Sequence, residues 1–495
     1  MSLQSALQQE TLTLDPKDWT SVRQAAHHAL DQILDVQENI REQPTWRPVP
    51  QATNDLLAQP APVEGMAQEA VVAQMLEHIV PYPAGHHHPR FWGWVCGTGS
   101  PIGMIADMLA AGINASAGVF NDAPSRVENQ VLTWMRDLFG FPESASGIIT
   151  SGASVANLIG LAVGRDAVLP KDIPLAGLTE QKGTPLVYAS SEVHSSVDKS
   201  LQLLGLGRQN LRKIAVDDAF SFPVDLLEQQ IEKDKAAGLQ PFAVVASGGT
   251  VNTGALDDLS ALGELARRHE LWFHVDGAIG ALAMMSPNLR PLFKGIELAD
   301  SVAFDFHKWL YVPYEAGCVL IRDAEKHRRS FAIAANYLTP FNRGVAAWSD
   351  SSNMRGPQLS RGFKALKVWA QIKTYGLEKL GRLQDQNVEH IRYLAQRIDA
   401  EEQLQLLAPV ALNILTYRYT PHDLPEASWD AVNQEILVRL QEEGIAVPSS
   451  TLISGKFALR VANTNHRTRR EDFDLLVRET LRIGREIESQ GGLIP

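Results

Sequence analysis

The fold of this 495-residue chain is decided by residues 242–280, FAVVASGGTVNTGALDDLSALGELARRHELWFHVDGAIG. The stretch begins with an apolar run, FAVVAS, and ends with a second apolar run, LWFHVD. The segment between them, LSALGELARRH, reads as a helix. A strand, a helix and a second strand in this order predict two parallel strands of one sheet, because parallel strands need a crossover connection.

The same pattern extends in both directions. Five more short apolar runs follow the pattern, at 147–150, 186–190, 213–216, 301–306 and 317–322. Helical stretches lie between most of them, which predicts an α/β fold with a mostly parallel central sheet covered by helices on both faces. Since ligands of such sheets bind beyond the carboxyl ends of the strands, the loops that follow the strands are the candidate functional site.

The flanking segments predict two further parts. Residues 1–90 read as a dimerisation segment with an amphipathic helix and a proline-rich extended stretch, which must dock on the main body or on a second subunit. Residues 91–384 form the predicted large domain. Residues 385–495 form a predicted small α/β domain, with strand candidates at 412–419, 445–453 and 456–463.

Composition limits the class of protein. The chain has 45 Lys+Arg and 57 Asp+Glu, a net charge of −12, and no basic block, which argues against binding of nucleic acid. Cys96 and Cys318 form no Cys-x-x-Cys pair, and reduced thiols are typical of a cytoplasmic protein. No run reaches the roughly 18 apolar residues that span a bilayer, and the N-terminus lacks a secretory signal pattern. We therefore expect a cytoplasmic protein with no membrane association.

Two of the strand ends carry residues suited to an anion and to a positively charged ring. SGAS at 151–154 follows a strand and opens a helix, so its N–H groups suit a phosphate, although many helices begin with Gly and Ser. Asp276 ends the strand LWFHVD, where it either caps the next turn or pairs with a cationic ring nitrogen.

The other two strand ends carry a lysine and a histidine. Lys308, between His307 and Trp309, is a candidate Schiff-base lysine, although an isolated lysine is more often on the surface. His194 follows another strand and suits ring stacking or proton transfer, or has a structural role. Together, a phosphate cup, a ring platform, an anion and an amine are the groups that pyridoxal phosphate requires.

The segment HHHPRF at 86–91 is the other notable cluster. Consecutive histidines cannot converge on one ion, and no ligand at fixed spacing accompanies them, so we predict no metal site. Aromatic residues near it and further along the chain are candidates for lining a substrate pocket, although each also suits the core: Phe91, Trp92, Trp94, Phe120 and Trp348.

The chain resembles the group II pyridoxal-phosphate decarboxylases, the aromatic-L-amino-acid decarboxylase family of fold type I. The resemblance extends from HPRFWGW at 88–94 to RGFKALKVW at 361–369, with a weaker match in both flanks. Between these segments the matching motifs include the SGAS turn, YASSEVHSSVDKS, LWFHVDGAIG, ADSVAFDFHKW and ANYL. The resemblance implies pyridoxal 5′-phosphate as cofactor and a homodimer whose N-terminal helices exchange across the interface.

The resemblance also implies roles for single residues. Lys308 would bind the cofactor as an imine, Asp276 would pair with the pyridine nitrogen, and His194 would stack on the ring opposite Ala278. Tyr337 would return a proton to the substrate carbon. The phosphate would be held by Gly152, Ala153 and Ser154, assisted by His307. The ring would have Thr250 beside it, within hydrogen-bonding reach.

The predicted function is decarboxylation of an L-amino acid, aromatic or apolar, to its amine and carbon dioxide. One alternative is an aldehyde synthase, an outcome that in this family accompanies loss of the loop tyrosine, so Tyr337 favours simple decarboxylation. Another fold-type-I reaction is also open, such as carbon–carbon lyase chemistry or transamination with Arg361 binding the substrate carboxylate. A third hypothesis is a non-catalytic protein that binds pyridoxal phosphate.

Overall fold

The computed structural model describes residues 12–170, 172–178, 183–333, 341–347 and 352–491. The chain divides into two units, the first ending at Gly85 and the second beginning at His86, and each is described by itself. Among the described residues, no helix combines the length and the apolar composition needed to cross a membrane.

The described part of the first unit contains three α-helices: α1 (Trp19–Glu38), α2 (Gln51–Leu57) and α3 (Gln68–His78). Asp18 caps α1 by accepting a hydrogen bond from the N–H of Thr20. Helix α2 corrects the expectation that the proline-rich stretch is extended throughout. Pro50 directly precedes α2, where a missing N–H costs nothing because the first N–H groups of a helix have no partner within it.

The second unit is built on a seven-stranded sheet. Its strands are β1 (Ser146–Thr150), β2 (Pro185–Ser190), β3 (Leu211–Ile214), β4 (Gln240–Ser247), β5 (Trp272–Asp276), β6 (Ser301–Asp305) and β7 (Gly317–Ile321). The spatial order is β1-β7-β6-β5-β4-β2-β3. Only β7 is antiparallel to its neighbours, and the other pairs are parallel. The predicted mostly parallel sheet is therefore confirmed. Six strands lie at their apolar runs, whereas β3 begins and ends two residues before the run at 213–216.

Helices cover both faces of this sheet. They are α4 (Pro101–Ile113), α5 (Ala123–Leu138), α6 (Ala153–Val168), α7 (Ile173–Ala176), α8 (Ser195–Leu203), α9 (Val224–Ala236), α10 (Leu259–Arg268), α11 (Phe306–Trp309) and α12 (Ala324–Phe331). Alternate residues of each strand enter two separate hydrophobic cores, as Phe273 and Trp272 of β5 do. The strands are apolar on both sides because both sides are buried.

Helix α6 lies directly against the sheet and contacts β1, β4, β5, β6 and β7. This approach requires Gly160, because a Cβ there would come within 2.7 Å of the His274 ring. The N-terminus of α6 is thereby fixed at the carboxyl ends of the parallel strands.

The C-terminal part combines a long helix with a second sheet. Helix α13 (Ala365–Asp399) is followed by β8 (Leu404–Leu406), β9 (Ile414–Tyr419), α14 (Trp429–Glu442), β10 (Ser449–Ile453), β11 (Lys456–Ala462) and α15 (Arg470–Ser489). The four strands are antiparallel in the order β10-β11-β9-β8. Three match the strand candidates, whereas β8 is too short for its pattern to be recognised. The domain limits at residues 90 and 384 stay a prediction.

Short 3₁₀ helices complete the secondary structure of the described residues. They are Ile40–Glu42, Arg208–Asn210, Ala281–Met285, Arg290–Phe293, Ile296–Leu298, Ser352–Met354 and Glu426–Ser428.

Candidate active site

A cavity opens at the carboxyl ends of β2, β4, β5 and β6. Five of the residues predicted to bind the cofactor line it, namely His194, Asp276, Ala278, Lys308 and, in the loop after β4, Thr250. The other described residues that line it are Trp94, Val95, Glu192, Ser247, Gly249, Val251 and Ile279. We call this cavity the site cavity. The sheet topology thus brings together residues that are more than 110 positions apart in the sequence.

Lys308 lies in the single turn α11, directly after β6. Its Nζ is 2.9 Å from Oδ2 of Asp305, which is almost completely buried. Oδ1 of the same carboxylate accepts the N–H of Ala153 at 2.7 Å. Asp305 therefore links the lysine to the start of α6, and the sequence reasoning missed it. Its signal was a carboxylate at the end of an apolar strand, three residues before the lysine.

Asp276 is the last residue of β5 and is buried. Its Oδ2 accepts a hydrogen bond from Nδ2 of Asn157 at 2.8 Å, and its Oδ1 accepts the N–H of Ala278 at 3.1 Å. Both bonds come from neutral donors, and a carboxylate oxygen has lone pairs for a further donor in the site cavity. The capping role and the ring-pairing role considered for Asp276 are therefore geometrically compatible.

His194 precedes α8 and faces the site cavity. Its Nδ1 accepts the N–H of Ser196 at 3.2 Å. Burial lowers the pKa of His194, and the nearby Asp276 carboxylate raises it to a smaller extent. The ring is therefore neutral near pH 7.

The predicted phosphate ligands lie at the start of α6 and on α11, beside Lys308 but outside the lining of the site cavity. The N–H of Ala153 is bonded to Asp305, whereas those of Gly152 and Ser154 have no protein partner in the described parts of the chain. Nε2 of His307 is 3.7 Å from Oδ2 of Asp305, and burial lowers the pKa of this histidine. Two free N–H groups at a helix N-terminus fit an anionic group.

The predicted substrate residues lie in different surroundings. Trp94 lines the site cavity, whereas the exposed Phe120 does not. Trp92 is in the core instead, where it stacks on Phe473 with ring centroids 4.8 Å apart and donates Nε1–H to Thr468. Phe91 is buried with its ring edge against His86.

Two predicted residues, Tyr337 and Trp348, lie outside the described residues. Their roles stay predictions.

Arg361, the candidate carboxylate-binding residue of a transaminase, is used elsewhere. Its guanidinium makes two bonds to Glu128, at 2.8 and 2.9 Å, and both side chains are buried. A further bond joins Nη1 to the carbonyl oxygen of Ile149. The structure therefore contradicts the idea that Arg361 binds a substrate.

Within the described residues, no group of three or more His, Cys, Asp or Glu side chains is arranged to hold a metal ion. His86, His87 and His88 accordingly form no such cluster. His87 instead bonds through Nδ1 to the carbonyl oxygen of Thr98 at 2.7 Å.

An α/β sheet with a lysine, a carboxylate and a histidine at one edge is typical of the fold-type-I pyridoxal-phosphate enzymes. Residues 50–420 match the pyridoxal-dependent decarboxylase conserved domain, and the chain belongs to this family.

Known proteins agree with this assignment. An aromatic-L-amino-acid decarboxylase of Bacillus atrophaeus is 30% identical over 476 residues, 94% of this chain and 96% of that protein. A histidine decarboxylase of Drosophila melanogaster is 30% identical over 472 residues, 92% of this chain and 54% of that protein. The crystal structure of Oryza sativa TDC with PLP and tryptamine has the same fold, with a TM-score of 0.88 at 24% identity, covering 96% of this chain and all of that one. The chain is a pyridoxal-phosphate-dependent amino-acid decarboxylase.

Proposed function

We propose that this enzyme decarboxylates an L-amino acid with an aromatic side chain to the amine and carbon dioxide, with Lys308 as the amine that binds the cofactor. The observation that supports this best is that Lys308, Asp276 and His194 line one cavity. When bound, pyridoxal 5′-phosphate supplies a ring that accepts the electron pair of the broken bond.

The residues around the cavity fit this cofactor. We infer that Asp276, already an acceptor of two N–H groups, pairs with the pyridine nitrogen, and that the free N–H groups of Gly152 and Ser154 bind the phosphate. His194 and Ala278 also line the cavity, and we assign them to opposite faces of the cofactor ring. Thr250, whose Oγ1 accepts the N–H of Ala255 at 3.1 Å, stands at the ring edge in this proposal.

Asp305 has a different proposed role from Asp276. Its ion pair with Nζ of Lys308 keeps the lysine directed to one place before the cofactor arrives. Lys308 would have to lose the extra proton of this ion pair before its Nζ could act as a nucleophile.

We assign substrate recognition to the part of the site cavity that the cofactor contacts do not use. Trp94, Val95, Val251 and Ile279 give this part apolar walls. Glu192 is the charged group among them, and its Oε2 accepts Nδ2–H of Asn252 at 2.9 Å. Asn252 is oriented in turn because its Oδ1 accepts the hydroxyl of Thr451 at 2.7 Å. Apolar walls with one fixed acceptor suit an aromatic side chain that carries a hydrogen-bond donor.

Two finer features belong to the proposal. We infer a homodimer, because helices α1 and α3 have no buried residue and therefore need a surface to cover their apolar side chains. We infer a cytoplasmic location, because Cys96 and Cys318 are both free thiols. Sedimentation of the purified enzyme tests the first inference, and cell fractionation tests the second.

The proposed role of Lys308 is tested by spectroscopy of the purified protein. The wild type incubated with pyridoxal phosphate should show the visible absorbance of a lysine-bound cofactor, and Lys308→Ala should not. Lys364→Ala is the control, since Lys364 pairs with Glu315, does not line the site cavity and should leave the absorbance unchanged. A Lys308→Ala protein that keeps the band would remove Lys308 from its role.

The reaction itself is tested with a panel of L-amino acids, scored for carbon dioxide, amine, aldehyde and keto acid. We expect carbon dioxide and amine in equal amounts. In air-saturated buffer, Tyr337→Phe should lower the amine and raise the aldehyde, because without the hydroxyl the substrate carbon lacks its proton donor and is oxidised by dissolved oxygen instead. If Tyr337→Phe gives wild-type products, then Tyr337 is not the donor, and keto acid from the wild type would indicate transamination.

A further inference from the structure

Asn157 is a polar residue in the second turn of α6, and none of its surface is exposed. Its amide contacts three side chains. Nδ2 is 2.8 Å from Oδ2 of Asp276 and 3.0 Å from Oγ of Ser196, and Oδ1 is 2.8 Å from Nε2 of His274. Both N–H groups and the oxygen of this buried amide therefore have hydrogen-bond partners.

The direction of the bonds on the Oδ1 side follows from Asp276, because its carboxylate accepts from the amide nitrogen of Asn157 and the amide oxygen therefore faces Nε2 of His274. The indole Nε1–H of Trp272 donates to Oγ of Ser301 at 2.8 Å. The hydroxyl of Ser301 donates in turn to Nδ1 of His274 at 2.7 Å, since the ring proton lies on Nε2 and donates to Asn157. Burial lowers the pKa of His274 to about 4, so the ring is neutral and carries only that proton at pH 7.

The bonds on the Nδ2 side reach both residues that we assign to the cofactor ring. One N–H of Asn157 donates to Asp276. The other donates to Oγ of Ser196, whose hydroxyl donates to Nδ1 of His194 at 2.8 Å. The backbone N–H of Ser196 also points to this Nδ1. His194 therefore carries its proton on Nε2.

We propose that Asn157, oriented by His274, is a positioning residue that fixes both the Asp276 carboxylate and the tautomer of His194 for the cofactor ring. This inference rests on the proposed function. If the amide turned over, its oxygen would face the carboxylate of Asp276, and two buried acceptors would lack a donor. Asp276 would then retain only the N–H of Ala278 and would be free to rotate away from the pyridine nitrogen.

The test compares His274→Phe, which keeps a ring of similar size without its donor, with His274→Gln, whose amide retains a donor for Asn157. Pyridoxal phosphate labelled with ¹⁵N in the ring is bound to each protein, and its nitrogen chemical shift and dissociation constant are measured. We expect a protonated nitrogen in the wild type, a shift toward the unprotonated form with about tenfold weaker binding in His274→Phe, and recovery in His274→Gln.

A matched control separates positioning from general loss of packing. His327 is also completely buried and neutral, and it bonds to Ser146 and to the carbonyl oxygen of Arg355, away from the site cavity. His327→Phe should therefore leave the nitrogen shift and the dissociation constant at wild-type values. Asn157→Leu, which removes the amide at similar volume, should reproduce the effect of His274→Phe and decides the question if His274→Phe does not fold.

Wild-type nitrogen shift and cofactor affinity in either His274→Phe or Asn157→Leu would overturn the inference. A wild-type protein that binds no pyridoxal phosphate would instead contradict the proposed function. A wild type that binds the cofactor with an unprotonated ring nitrogen would contradict the role of Asp276.

Discussion

At the scale of single residues, the site cavity depends on two carboxylates in different surroundings. Asp305 is paired with a cation, Nζ of Lys308, whereas Asp276 accepts hydrogen bonds from neutral amides. The first carboxylate therefore has its charge balanced inside the protein. The second is bonded to neutral donors in the described residues, which suits the cationic ring nitrogen that we propose as its partner. The two aspartates therefore have different proposed roles because their surroundings differ, although the residue type is the same.

Glu192→Gln tests the proposed recognition of the substrate side chain. The amide keeps the size of the residue and removes the charge, so an amino acid with a phenol or indole donor should lose about tenfold in kcat/KM, mainly through KM. Phenylalanine, which has no donor, should change little. The measurement is carbon dioxide release over a range of concentrations of each amino acid.

Glu270→Gln is the matched control, because Glu270 is an exposed residue at the far end of the crossover that leads to β5 and does not line the site cavity. An equal loss for phenylalanine and for tyrosine in Glu192→Gln would mean that Glu192 acts on the common amino-acid part of the substrate, contrary to the proposal.

At the scale of elements, helix α13 is interrupted at one residue. Gly376 has φ 69° and ψ 157°, a conformation that residues with a side chain rarely adopt. A Cβ at Gly376 would meet no atom within 4 Å. The glycine is therefore required by the backbone and not by lack of space.

Gly376→Ala should lower the free energy of unfolding by about 1–3 kcal/mol, because the added methyl group strains the backbone without any clash. Gly112→Ala is the matched control, since Gly112 lies in α4 with ordinary helical geometry and equally open surroundings. That variant should raise the free energy of unfolding by up to about 1 kcal/mol. Urea unfolding of both variants measures the difference, and equal effects of the same sign would contradict the explanation.

At the scale of the whole molecule, several histidines are buried in the neutral form. Burial lowers the pKa of His327 to about 3, and those of His274 and His466 to about 4, from the usual 6.5. The unfolded chain therefore binds protons below pH 6.5 that the folded chain does not accept until pH 3 to 4. It follows that the free energy of unfolding is highest above pH 6.5 and falls as the solution is acidified through this window.

His327→Phe should make this dependence shallower, by up to about 1.4 kcal/mol per pH unit between pH 6 and pH 4, because one proton-linked group is removed. Denaturant unfolding at intervals of pH measures the slope. The exposed His422 provides the control, because His422→Phe removes a histidine that is not buried. A steeper slope in His327→Phe than in the wild type would show that the buried histidine does not cause the acid sensitivity.

The sequence by itself determined the sheet and the chemistry at its edge. Strands such as FAVVAS and LWFHVD are recognisable because burial on both faces makes them continuously apolar, and parallel strands necessarily place their last residues at one edge. Asp276, Lys308 and His194 could therefore be assigned to one site from their positions after the strands. The strand β8 and the helix α2 are too short for a hydrophobic period to be recognised in the sequence.

Only the tertiary structure decided which polar groups hold the site residues in place. The bond from Asp305 to Ala153 and the amide of Asn157 between Asp276 and Ser196 join segments far apart in the chain. Tertiary packing also placed Trp92 against Phe473 and paired Arg361 with Glu128, so that neither residue reaches the cavity. A hydrogen bond or a stacked ring depends on positions to within a fraction of an ångström, and spacing along the chain does not specify positions so closely.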